Sequence, residues 1–141
     1  MKTIILSVSL LIAACSSSFA QCGKKVTLTT SKTEHLDANG IITRTDDEKA
    51  VVVINKSDIT INVGDQNKMT GTIKSDACDW SVPFKDGKMI IKATLGNGQG
   101  EDKNVTITIE GKGGKISLLF EAEGMPDDRI RVTVDKFEEA G

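Results

Sequence analysis

The sequence predicts an all-β fold, an antiparallel up-and-down meander of eight or nine strands that closes into a barrel, with a two-sheet sandwich as the alternative. Three observations carry this expectation. Apolar and polar residues alternate with period 2 along most of the chain, the pattern of strands that turn one face to a core. Turn-forming residues interrupt the alternation at short intervals. No stretch combines a helical period with capping residues, so little helix is expected.

The first 20 residues read as an export signal ahead of one domain spanning residues 21–141. Met1 and Lys2 make a short basic start, residues 3–14 are largely apolar, and small residues follow. Twelve residues rise only ~18 Å as a helix against roughly 30 Å of hydrocarbon, so the segment does not span a membrane. Two processing sites compete. Ile12-Ala13-Ala14-Cys15 fits a lipoprotein signal, in which Cys15 carries the lipid and residues 16–21 tether the domain to the outer membrane. Ser18-Phe19-Ala20 fits ordinary signal cleavage, which would release a periplasmic or secreted protein. Lipidation at Cys15 is the preferred reading, and it is the chain's only expected contact with a membrane.

Lipidation consumes Cys15 and cleavage after Ala20 discards it, so Cys22 and Cys78 remain in either case. In an oxidising compartment these two are expected to pair. The bridge would close a loop of about 57 residues and contribute roughly 4 kcal/mol in the chain-entropy model.

The strands follow in order. Val26 and Leu28 alternate with Thr27 and Thr29. The segment Ala50–Ile54 is continuously apolar, so both of its faces meet something other than bulk water. Ile59, Ile61 and Val63 form the next inward row, followed by Trp80, Val82 and Phe84, and then by Met89, Ile91, Ala93 and Leu95. Val105, Ile107 and Ile109 alternate strictly with Thr106, Thr108 and Glu110. Ile116, Leu118, Phe120 and Ala122 precede a last row of Ile130, Val132 and Val134.

The breaks between these rows have hairpin chemistry. Asn39-Gly40 and Asp86-Gly87 are two-residue turn signals, the second expected to join the strands ending at Phe84 and starting at Met89. Asn55-Lys56-Ser57-Asp58, Gly64-Asp65-Gln66-Asn67, Gly111-Lys112-Gly113-Gly114 and Gly124-Met125-Pro126-Asp127-Asp128 separate further pairs, and the segment from Gly96 to Asp102 is the longest loop. Tight turns link antiparallel neighbours, and closing the meander removes its two exposed edges. Composition argues against a membrane-spanning barrel. One Trp, four Phe and no Tyr cannot build aromatic girdles, and the outward positions carry Thr, Lys, Asp and Glu.

Charge excludes other partners. Without Lys2 the domain has 17 basic and 20 acidic residues, a net charge of −3 with the signs interspersed. Such a surface has no electrostatic footprint for nucleic acid or an anionic bilayer. Catalysis is not expected either. His35 is the single histidine, and no nucleophile and base stand together in the sequence. The acidic groups Asp46-Asp47-Glu48, Glu101-Asp102 and Asp127-Asp128 lack the spacing of a calcium loop and read as solvated turn charges. The Gly-rich segments precede strands and not helices, so they are not phosphate loops. Neither a metal nor any cofactor is expected.

The closing segment Leu118-Leu119-Phe120-Glu121-Ala122-Glu123-Gly124-Met125-Pro126, followed by Arg129-Ile130-Arg131-Val132-Thr133-Val134, together with the export signal and the long meander, resembles the small lipocalin-like (calycin-type) domains exported by Gram-negative bacteria. The Gly-x-Trp near the first strand that marks lipocalins is absent, and Trp80 lies mid-chain. The resemblance implies a small apolar ligand inside the barrel. Trp80, Phe84, Met89, Ile107 and Phe120 are the expected cavity lining, because bulky inward side chains would shape any cavity. The alternative is a filled barrel that serves as a cell-envelope structural or protein-interaction module.

Overall fold

The computed structural model describes residues 22–64, 67–96 and 102–140. The expected export signal, Cys15 and the cleavage site after Ala20 lie outside the described residues, as do the middle of the loop between Gly96 and Asp102 and the pair Asp65 and Gln66.

The described chain forms nine strands: β1 (Val26–Leu36), β2 (Ile42–Asp46), β3 (Ala50–Ile54), β4 (Asp58–Val63), β5 (Asn67–Val82), β6 (Asp86–Gly96), β7 (Asp102–Lys112), β8 (Lys115–Ala122) and β9 (Arg129–Glu139). All pairings are antiparallel, and β9 pairs with β1 to close an eight-stranded barrel with one extra strand. That extra strand shares an edge of β1 with β3. Residues Val26 to Thr30 of β1 face β3, while Thr33 to Leu36 face β2. The second strand of the meander is thus broken by Asp47, Glu48 and Lys49 into a barrel half and a half that projects beyond it.

Inward rows fill the barrel. Leu28, Ile59, Ile91, Ile107 and Ile109 are fully buried, and Val105, Ile107 and Ile109 realise the alternation that marks β7 in the sequence. The apolar run of β3 sends Ala50, Val52 and Ile54 inward, and leaves Val51 and Val53 half-buried opposite Thr29 and Thr27 of β1.

One end, called here the base, is where β1 starts and β9 finishes. Trp80 plugs it, 1% exposed, with Phe137 edge-on at a centroid separation of 5.7 Å and Phe84 packed on Phe137 at 4.8 Å. Here β5 runs past β4, whose pairing with it stops at Thr72. The Cys22–Cys78 disulfide, with its Cα atoms 6.0 Å apart, ties the segment before β1 to this overhanging half of β5. The expected pairing is therefore present, and it fastens the barrel where the hydrogen-bonded ladder is interrupted.

The hairpin expected at Asp86-Gly87 lies three residues earlier. Pro83, Phe84 and Lys85 make the turn, the Lys85 amide donates to the Val82 carbonyl at 3.1 Å, and Asp86 and Gly87 already belong to β6. Pro83 suits the first central position of a type II turn, and Phe84 takes the positive φ (61°) that glycine usually supplies at the second. Gly87 is needed elsewhere. A Cβ on it would lie 2.5 Å from the Asp79 carbonyl oxygen and from Trp80 Cα.

Candidate functional site

Opposite the base, the described residues leave the barrel uncapped. Thr30 and Thr33 of β1 face inward here although both are polar and buried, and the Thr30 hydroxyl donates to the Ala50 carbonyl at 3.4 Å. Below this mouth lies a hollow of about 180 Å³ whose apolar wall includes Val52, Ile61, Leu118 and Val132. A second hollow of about 290 Å³ adjoins it, against Leu95, Val105, Ala122 and Met125. Met69, Phe120 and Ile130 border both and form the partition between them.

The rim is polar. His35 alternates inward on β1 beside Arg44 and Asp46 of β2. Arg44 Nη2 lies 2.9 Å from His35 Nε2, and Arg44 Nε donates to Asp46 Oδ2 at 2.9 Å. Nε2 also lies 3.2 Å from Asp46 Oδ2, so Arg44 and Asp46 meet the same edge of the ring, whose other nitrogen is Nδ1. That nitrogen faces Asp128 Oδ1 at 3.5 Å, in the loop before β9. His35 thereby links three segments around the mouth: β1, the projecting half-strand β2 and the β8–β9 connection. Glu48 also borders the hollow and makes no hydrogen bond or ion pair among the described residues. The whole arrangement is an apolar hollow under a rim of fixed charges. Among the described residues no group of three or more His, Cys, Asp and Glu is placed to hold a metal ion.

Of the residues expected to line a cavity, Phe120 stands between the two mouth hollows. Trp80, Met89 and Ile107 belong to the packed core, at 1%, 6% and 0% exposure, and Phe84 packs at the base. The rim was not legible from the sequence. His35 and Arg44 are partners across the β1–β2 hairpin, and Asp128 joins them because β9 closes on β1.

Compared with known proteins, the chain matches no family model, no curated protein and no solved structure. The closed antiparallel meander is compatible with a lipocalin-like barrel, and no match ties the chain to that family.

Proposed function

We propose that this is an exported, non-enzymatic binding module of lipocalin-like design that takes the apolar part of a small amphipathic molecule into its mouth. The observation that carries the reading is the contrast between the two ends. Aromatic rings fill the base, whereas the mouth has hollows with an apolar wall under the polar rim of His35, Arg44, Asp46 and Glu48. Hollows of about 180 and 290 Å³ sit below the roughly 300 Å³ at which ligand pockets begin, so the ligand is small, on the scale of one short alkyl or aryl group. The Cys22–Cys78 bridge supports an oxidising, exported setting. With a lipid on Cys15, the tether would enter at the base beside Cys22 and leave the mouth facing away from the membrane.

A second reading is an envelope interaction module. It is favoured by β2, whose outer edge has no strand partner among the described residues, and by Ile41 just before it and Ile42 at its start, 61% and 45% exposed. Extracting the purified mature protein with organic solvent and analysing the extract by mass spectrometry separates the two. One small apolar molecule recovered reproducibly in near-stoichiometric amount supports the binding module. Its absence, together with no binding of short-chain alkyl probes, rejects it in favour of the interaction module.

A further inference from the structure

The outer wall of the barrel carries a groove of about 390 Å³ that shares no lining residue with either mouth hollow. It crosses three neighbouring strands. Thr108 and Glu110 come from β7, Ser117 and Leu119 from β8, and Arg129 and Arg131 from β9. Leu36 and Gly40, from the end of β1 and the turn after it, complete the lining.

The two guanidiniums differ in how far they are satisfied. Arg131 Nε lies 3.4 Å from Glu34 Oε1, an ion pair across the β1–β9 ladder. Arg129 has no carboxylate within ion-pair distance among the described residues. Its Nη2 donates to the Asp37 carbonyl at 3.1 Å, while its Nε is buried and has no hydrogen-bond partner. A buried donor left unpaired is costly, and a guanidinium fork is shaped to give two parallel hydrogen bonds to an oxyanion. The turn that holds Arg129 is itself fixed, since the Asp37 carboxylate accepts from the Asn39 and Ile41 amides at 2.9 Å each.

We infer that this groove binds an oxyanion, the carboxylate or phosphate of a small molecule, with Arg129 and Arg131 as its charged ligands. The Thr108 and Ser117 hydroxyls supply further hydrogen bonds from neighbouring strands. Glu110, on the β7 side, sets the selectivity. It opposes a second negative charge, so a carboxylate or a singly ionised phosphate is taken in preference to a phosphate dianion, and the molecule that carries it has hydrogen-bond donors on its far side.

The test is a ¹H–¹⁵N NMR titration of the mature protein that follows the arginine Nε–Hε signals. Sodium phosphate and sodium acetate are added separately, with chloride holding the ionic strength constant. Saturable shifts of the Arg129 and Arg131 signals with either anion, and a still Arg44 signal at the mouth, support the site; the anion that saturates first identifies the group. Arg129→Lys, which keeps the charge but not the fork, is expected to weaken binding at least tenfold. Glu110→Gln, at an exposed position, is expected to tighten it severalfold and serves where Arg129→Lys disturbs the fold. Shifts that grow linearly without saturating, that move Arg44 equally, or that ignore Glu110→Gln would overturn the assignment.

Discussion

Gly87 and Gly111 stand directly opposite each other on β6 and β7, and the Trp80 indole occupies the space their missing side chains leave. A Cβ on Gly87 would lie 2.7 Å from Trp80 Cδ2, and one on Gly111 would lie 2.7 Å from Trp80 Cζ3. Two glycines side by side weaken a sheet locally. Here they let the largest side chain in the protein reach 1% exposure at the base.

Gly111→Ala therefore overpacks the base. Its new methyl would also press on the Lys85 carbonyl and on Ile116 Cδ1, each 2.7 Å away, and backbone cannot yield as a flexible side chain can. A loss of about 3 kcal/mol is expected in urea unfolding followed by circular dichroism. Combining it with Trp80→Phe should recover part of that loss, so the two changes will not add. Strict additivity would mean that the indole and the glycine are not in contact.

Opening the Cys22–Cys78 bridge should cost about 4 kcal/mol and lower the melting temperature by roughly 10 °C or more. The structural ground is the overhang of β5, whose base half has lost its β4 neighbour and is tied back by Cys78. Melting curves with and without reductant measure this, and Cys22→Ser with Cys78→Ser should reproduce the reduced curve. Identical curves in oxidised and reduced protein would remove the bridge from the account of stability.

The same overhang shows what the sequence could and could not reveal. The alternation of β7 is readable because Val105, Ile107 and Ile109 are all buried and the strand is regular between two neighbours. In β5 the inward residues Met69 and Ile73 are followed by an irregularity before Ser75, which shifts the period, and most of the strand is exposed. Phe137 is hidden for a similar reason. The ladder slips between Thr29 and Thr30, so Phe137 joins the core three residues after Val134 and not two. The turn at Pro83 to Lys85 is missed because Asp86-Gly87 is the stronger hairpin signal, while its glycine is there to clear Trp80. The mouth depends on closure, which no local pattern encodes.

Phe84 should show an inverted order of substitutions. Its φ of 61° costs an L-residue roughly 1–2 kcal/mol, and its ring packs on Phe137. Phe84→Ala removes the ring and keeps the strained backbone, whereas Phe84→Gly removes both. The glycine variant is expected to be the more stable of the two by about 1 kcal/mol, opposite to the usual preference for alanine within regular structure. Denaturant midpoints of the pair decide it, and an alanine variant as stable as the glycine one would mean that the turn relaxes out of the left-handed region.

Phe120 and Ile107 are cross-strand partners on β8 and β7, yet truncating each should have a different consequence. Ile107 is fully buried within a packed layer, so Ile107→Ala leaves a cavity its neighbours cannot fill and should cost about 2–5 kcal/mol. Phe120 is only partly buried and has a hollow on either side, so Phe120→Ala gives up fewer contacts and should cost less, about 1–2 kcal/mol. What it removes is most of the partition at the mouth, and the two hollows become one. A short-chain alkyl or naphthyl probe should then bind roughly threefold tighter to Phe120→Ala than to the native protein, equivalent to ~0.6 kcal/mol. Ile107→Ala, at a fully buried residue that lines neither hollow, should leave probe affinity unchanged once the fraction folded is matched. Fluorescence titration of native and variant proteins measures this. Equal affinity in native protein and Phe120→Ala would show that the mouth hollows do not take up the probe and would withdraw the mouth as its binding site.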